Sequence, residues 1–336
     1  MKLEYLIVLS LCMVSVSCHQ LSTNKKISHK TLRFCGDGSF KIVQFTDTHW
    51  KNGDPNDLQT TALMGSILDL EKPDLVVLTG DVLAGKDCED SLESLARCVA
   101  PMIEREIPWA MTFGNHDDEG SASRAELMSF QRSLPYCLSQ CGPKNITGVS
   151  NYYLPIYASG GNRTRAILYF IDSNGSALEG MEGYAWIAPD QIEWYLDTAE
   201  YLRVKNGGSS CPALSFFHIP LPEYNDIWNA NVCIGNKYEE VCCPALNSGF
   251  FTALLQGKDV MGTFVGHDHV NDYEGTLHGI RLCYGRATGF NSYGREEYPR
   301  GARVILLREG MRDFQTWLRL ENGAILDINH CLSGGL

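Results

Sequence analysis

Hydrophobic positions along this chain change rhythm repeatedly, from short unbroken apolar runs to segments where apolar residues recur every three or four positions. Phe40–Phe45 reads as a short apolar strand, and Leu58–Leu70 carries helical spacing. Leu75–Leu78 is a second strand, Ser91–Ile103 a helix, Trp109–Phe113 a third strand and Ala125–Leu134 a third helix. This alternation predicts parallel strands joined by crossover helices. The second half is richer in strands: Ala166–Ile171, Leu214–Phe217, Val260–Val265, Arg303–Leu307 and Phe314–Leu320, with helices over Gln191–Leu202 and Gly249–Leu255. An α/β fold with two sheets stacked between helical layers accounts for the whole pattern. Two long polar or cysteine-bearing stretches, near Cys137–Asn151 and Pro220–Asn247, read as loops facing a substrate. No repeat, low-complexity tract or linker divides the chain, so residues 38–331 are expected to form one domain, preceded by a loose polar arm over residues 19–37.

The strand ends carry the chemistry. Asp47-Thr48-His49, Gly80-Asp81, Gly114-Asn115-His116-Asp117, Phe217-His218 and Gly266-His267-Asp268-His269 each stand beside a glycine or close an apolar run. Ligands bind beyond the carboxyl ends of parallel strands, so the first three motifs should meet on one sheet edge. Along a strand, residues i and i+2 share a face, which lets Asp47 and His49, or His267 and His269, reach one region together. Asp81 offers a carboxylate able to bridge two ions, and Asn115 a neutral amide oxygen. Asp117 is placed to fix the tautomer of a neighbouring imidazole. Taken singly, Asp47 with His49 reads better as a capped turn with a surface histidine, Gly80-Asp81 is usually just a turn, and His218 suits a satisfied buried histidine equally well. Together they make a donor set for two divalent cations. Trp50, Trp228, Tyr224 and Tyr293 either line a substrate mouth or pack in the core. Arg286 and Arg295 follow the last motif as candidate local cations. The chain has no nucleophile elbow, no Walker loop and no dinucleotide fingerprint.

Charge and the amino terminus narrow the setting. With 28 Lys and Arg against 40 Asp and Glu, the net charge is -12, which argues against a general nucleic-acid surface. Residues 1–18 read as a signal peptide: Lys2 precedes an apolar run, Leu6–Val16, too short to span a bilayer comfortably. Lipoprotein processing before Cys18 is the alternative. Thirteen cysteines and sequons at Asn145, Asn162 and Asn174 agree with a secreted or secretory-lumen glycoprotein carrying disulfide bonds, and with no stable membrane span.

The five motifs, in this order, resemble those of the calcineurin-like metallophosphoesterase superfamily. The resemblance implies a four-layer α/β/β/α sandwich of two mixed sheets flanked by helices. It also implies a two-metal centre holding manganese, zinc or iron. By position, the first ion would take Asp47, His49, Asp81 and His269, and the second Asp81, Asn115, His218 and His267. His116, with Asp117, would serve catalysis by contacting the phosphoryl group and assisting the leaving oxygen. The chain is most similar to small purple-acid-phosphatase-like members, through Asn271-Asp272-Tyr273 and Leu282-Cys283-Tyr284-Gly285. It departs from true purple enzymes at His49, where they have glycine, and at Ala84, where they have the ferric-binding tyrosine. The implied activity is hydrolysis of a small phosphorylated substrate or phosphoprotein, by in-line attack of a metal-bridging hydroxide. A phosphomonoesterase is expected. A phosphodiesterase acting on nucleotides or phospholipid headgroups, and a catalytically silent binding scaffold, are the alternatives.

Overall fold

The computed structural model describes residues 31–177 and 179–327. The expected signal segment and Cys12, Cys18 and Cys331 lie outside them. The first half contains β1 (Ser39–Phe45), α1 (Pro55–Glu71), β2 (Leu75–Thr79), α2 (Ser91–Cys98), α3 (Ala100–Glu104), β3 (Trp109–Thr112), α4 (Arg124–Gln131) and β4 (Tyr152–Tyr157). Next come β5 (Thr164–Phe170), α5 (Pro189–Lys205), β6 (Ala213–Phe216), α6 (Glu223–Asn229), β7 (Cys233–Ile234), α7 (Phe250–Gly257) and β8 (Val260–Val265). The chain continues through β9 (Glu274–Leu277), β10 (Ile280–Tyr284), β11 (Gly301–Arg308), β12 (Phe314–Leu320) and β13 (Ile325–Asp327).

Two mixed sheets result, in the orders β13-β12-β11-β1-β2-β3 and β4-β5-β6-β8-β10-β9-β7. In the first, β1, β2 and β3 are parallel. In the second, β5, β6, β8 and β10 are parallel. Strand alternation then builds the layers. On β5, Ala166, Leu168 and Phe170 join the core shared with the first sheet, whereas Ile167 and Tyr169 join the core under α5, α6 and α7. A ladder of rings crosses the inner layer: Tyr152 on Phe170, Phe170 on Phe216, Phe216 on Phe264, and Phe264 on Phe314 of the opposite sheet. Burying each such ring is worth about 1.5–3 kcal/mol. The architecture is therefore the expected α/β/β/α sandwich.

Local signals explain the elements. Asp54 caps α1 through the amide of Asp57, with Pro55 at the first position, where its missing N–H costs nothing. The helix expected over Ser91–Ile103 is instead two, parted at Val99, because Pro101 cannot donate to the carbonyl four residues back. The short strands β4, β7, β9, β10 and β13 and the helix α6 carried no periodicity long enough to read.

Two expectations are corrected. The described part of the arm is packed: Leu32 and Phe34 are buried, and the Phe34 amide donates to the Tyr157 carbonyl at 2.9 Å. The expected disulfide bonds are absent among the described residues, whose ten cysteines are all free thiols. Several are core side chains: Cys98 and Cys283 are fully buried, and burial pushes the Cys98 thiol up to about 12. Among the described residues, no helix is long and apolar enough to cross a membrane.

Candidate dimetal centre

All five motifs leave the carboxyl ends of parallel strands: β1, β2 and β3 in one sheet, β6 and β8 in the other. The inner faces of the two sheets meet, so these ends converge. The convergence of the i, i+2 pairs has a different origin from the one the pleat suggests. Asp47, His49, Asp81 and His267 all adopt left-handed backbone, with φ of 53°, 43°, 45° and 77°. Each such residue costs on the order of 1–3 kcal/mol, and the surrounding fold must hold it there. The left-handed turns fold the side chains back to a common point. The adjacent glycines permit this close approach: a Cβ on Gly114 would lie 2.8 Å from the Asp81 Cγ, and one on Gly266 2.7 Å from Asp47 Oδ2.

Two clusters form, Asp47 with His49 and His269, and Asp81 with His218 and His267, each with donor atoms within 4.8 Å of one another. His49 Nε2 faces His269 Nε2 at 3.2 Å, and His267 Nδ1 faces His218 Nε2 at 3.2 Å. Asp81 Oδ2 lies 3.1 Å from His218 Nε2 and 3.8 Å from His49 Nε2, so one carboxylate oxygen faces both clusters. His218 donates its Nδ1 proton to the Thr79 carbonyl at 2.8 Å, which turns Nε2 inward. Asn115 Oδ1 is buried without a partner, as is His267 Nε2.

Imidazole nitrogens pressed together beside carboxylates and an orphaned amide oxygen fit two cations well. Burial holds His49 down to about 4 and His267 down to about 3, neutral and ready to donate lone pairs. Burial opposes the charged form of His218, yet Asp81 and Asp47 lift it to about 9, so a metal must displace its proton. Burial likewise works against the Asp47 carboxylate, but His269 and His218 hold it down to about 2.

Beside the clusters, His116 is half-buried, with its ring 5.5 Å from that of His49 and its amide donating to Asp81 Oδ1 at 2.8 Å. Its Nδ1 meets Glu119 Oε2 at 2.7 Å. Burial alone would lower its pKa, but Asp81 and then Glu119 outweigh burial and raise it. The role expected of Asp117 is corrected. Asp117 Oδ1 accepts from the amides of Val82 and Leu83 at 2.8 and 3.0 Å, and Oδ2 from that of Gly114 at 2.7 Å. It clamps the two loops that carry Asp81 and Asn115, and the carboxylate on His116 is Glu119.

The model of the calcineurin-like phosphoesterase family matches residues 40–271. The chain belongs to the calcineurin-like phosphoesterases. It is 37% identical over 331 residues to Probable inactive purple acid phosphatase 29 of Arabidopsis thaliana, covering 87% of this chain and 85% of that one. It is also 37% identical over 337 residues to Phosphatase DCR2 of Saccharomyces cerevisiae, covering 89% of this chain but 57% of that protein. A dimetal phosphatase from Danio rerio shares the fold, with a TM-score of 0.56 at 14% identity, over 86% of this chain and 98% of that one.

In this calcineurin-like phosphoesterase the rim differs from the sequence expectation. Arg286 is buried, ion-paired with Asp272, and donates to the Pro299 carbonyl at 2.8 Å, so it is no substrate cation. Arg295 lies over the Tyr238 ring, 4.4 Å from its centroid. Trp50 and Tyr224 are core residues, and Trp228 packs on Tyr273. Tyr293 does reach the centre. Tyr184, which no pattern singled out, faces it from the loop between β5 and α5. Of the two stretches expected to face substrate, 220–247 folds into α6 and β7 and sends Glu239 to the rim, where it accepts from the Tyr293 hydroxyl at 2.6 Å. The stretch 137–151 starts at the opposite end of β3, where Leu138 pairs with the Trp109 carbonyl at 2.7 Å. Glu119 had one available signal, its place three residues after His116 in a turn.

Proposed function

We propose that this chain is an active dimetal phosphomonoester hydrolase. The observation that carries the reading is the donor set: six side chains in two clusters, with Asp81 Oδ2 facing both, the Asn115 amide oxygen buried without a partner, and His116 held beside them by Glu119. Asp47, His49, Asp81 and His269 would hold one ion, and Asp81, Asn115, His218 and His267 the other. Manganese, zinc and ferrous iron all suit a mixed imidazole and carboxylate set. When bound, the two ions supply Lewis acidity, activating water and neutralising charge on the phosphoryl oxygens. His116, protonated on the nitrogen remote from Glu119, gives that proton to the leaving oxygen. Asp117 keeps the loops of Asp81 and Asn115 in register during the reaction.

A monoester is favoured on electrostatic grounds. A net charge of -12 repels a long polyanion at a distance, while a small monoester feels mainly the centre. The test is a turnover panel after metal reconstitution, comparing kcat/KM for a nitrophenyl monoester with its bis-ester. A tenfold advantage for the bis-ester, about 1.4 kcal/mol, would replace this reading with a phosphodiesterase.

The second reading is a catalytically silent scaffold, prompted by the word inactive in the name of the Arabidopsis relative. The full ligand set and His116 stand against it. A metal-loaded protein that turns over neither ester would establish it.

We also propose passage through the secretory pathway, on the strength of residues 1–18 and two exposed sequon asparagines, Asn145 and Asn162. The Asn174 amide is committed to the Trp186 carbonyl and Gln191, so that sequon is expected to stay unmodified. A mass shift on glycosidase treatment of the protein from a eukaryotic host tests this.

A further inference from the structure

Three contacts hold Tyr293 in place although 55% of it is open to solvent. Its ring stacks on the His269 imidazole, with centroids 4.0 Å apart and planes at 27°. Its hydroxyl donates to Glu239 Oε2 at 2.6 Å, and Glu239 Oε1 is in turn fixed by the Val270 amide at 2.8 Å. Its carbonyl accepts from Arg300 Nη2 at 3.1 Å. Immobilising an exposed side chain costs rotamer entropy without the burial that normally offsets it. A ligand that covers the ring supplies that burial.

Tyr184 stands against the other cluster. Its ring meets that of His267 edge-on, with centroids 4.3 Å apart and planes at 88°. A narrow hairpin presents it: Ser176 bridges to Tyr184, the Ala177 amide donates to the Gly183 carbonyl at 3.1 Å, and the Ala185 amide to the Gly175 carbonyl at 2.9 Å. Two widely separated loops therefore each set a tyrosine on an imidazole of a different cluster. His269 belongs with Asp47, and His267 with Asp81. A phosphoryl group held between the clusters would therefore have one tyrosine beside each cluster, available to its ester substituent.

We propose that Tyr293, with Tyr184 opposite it, is a specificity platform for phosphomonoesters of planar aromatic alcohols, the chemistry of an aryl phosphate or a phosphotyrosine side chain. This rests on the phosphomonoesterase reading. Because Tyr293 stacks on His269 itself, the platform favours a ring attached directly to the ester oxygen over a base set off by a ribose. Aryl esters are intrinsically more reactive than alkyl esters, so the wild-type ratio of rates is not diagnostic. The diagnostic quantity is how a change at Tyr293 divides between aromatic and aliphatic ligands.

The experiment is calorimetric binding of phenylphosphonate and methylphosphonate, neither of which is turned over, to the manganese-loaded protein. Wild type, Tyr293→Phe and Tyr293→Ala are compared, with metal content checked by elemental analysis. Tyr293→Ala is expected to weaken phenylphosphonate by about threefold to tenfold, the range of one aromatic contact, and methylphosphonate by less than twofold. Tyr293→Phe, which keeps the ring, should retain most of the phenylphosphonate affinity. Equal losses on both probes, or none on either, would overturn the proposal. If phenylphosphonate shows the expected pattern while no monoester is hydrolysed, the platform stands and the hydrolase reading fails.

Discussion

His116 Nδ1 lies 2.7 Å from Glu119 Oε2, while the His116 amide donates to Oδ1 of Asp81 at 2.8 Å. One residue is thus tied at its backbone to the carboxylate that faces both clusters, and at its ring to a carboxylate outside them. The second tie holds the Nδ1 proton, so in the protonated ring Nε2 carries the other proton, the one the proposed reaction gives away.

Replacing Glu119 should therefore change the pH profile. A proton donor acts while it holds its proton, so activity persists below its pKa and fades as pH rises through it. Asp81 and Glu119 raise the His116 pKa above its ordinary 6.5 against the opposing effect of burial. Removing the Glu119 charge lowers it again. In Glu119→Gln the alkaline limb of kcat/KM should therefore move to lower pH. A limb that stays in place would leave Glu119 as a turn residue only.

His116→Ala should keep both metals and slow turnover by roughly 10²–10⁴-fold. The loss should shrink for nitrophenyl esters, whose leaving oxygen needs little protonation. Parallel kinetics on nitrophenyl and alkyl monoesters check this, and equal losses would remove His116 from proton donation.

Asp81→Asn should abolish turnover and lower metal content at both positions, because Asp81 Oδ2 faces His218 and His49 together. Elemental analysis of the purified variant is the measurement. Two full equivalents of metal in an inactive protein would contradict the shared role.

Asp117→Ala should act through stability. It orphans three buried amides, those of Val82, Leu83 and Gly114. Each buried donor left unpaired costs about 1–3 kcal/mol, with partial relaxation expected. A loss of about 3 kcal/mol in denaturant unfolding is expected, with Asp117→Asn milder. A variant of wild-type stability that is nonetheless inactive would restore the catalytic role the sequence suggested.

The metal-loaded protein should be colourless. Ala84 has no phenol to offer, and the Tyr293 hydroxyl is engaged by Glu239. An absorption spectrum with a strong visible charge-transfer band would show that another tyrosine ligates ferric iron.

Much of this protein is legible in its residues. Asp47, His49, Asp81, Asn115, His116, His218, His267 and His269 are recognisable because oxygen and imidazole donors stand directly after apolar runs, and strand ends of one parallel sheet share an edge. Layering was legible too, since runs such as Ala166–Ile171 are long enough to show that they are buried on both sides. Other features depend on loop geometry. The left-handed turns at Asp47, His49, Asp81 and His267 leave no mark in the pattern, because Asp and His, though enriched in that backbone, adopt ordinary backbone far more often. Asp117 and Glu119 are both acids after His116, and only the closing of the loop against Val82 and Leu83 sends the first to the backbone and the second to the imidazole. Arg286 and Tyr293 are likewise both polar-tipped residues after the last motif. The packing of β9 and β10 buries the former on Asp272, while the Arg300 and Glu239 contacts hold the latter out beside His269. The donor set was determined by residue type at strand ends. Which carboxylate meets His116, and which rings stand on His269 and His267, were decided by the folding of the loops against one another, whose contacts local sequence does not encode.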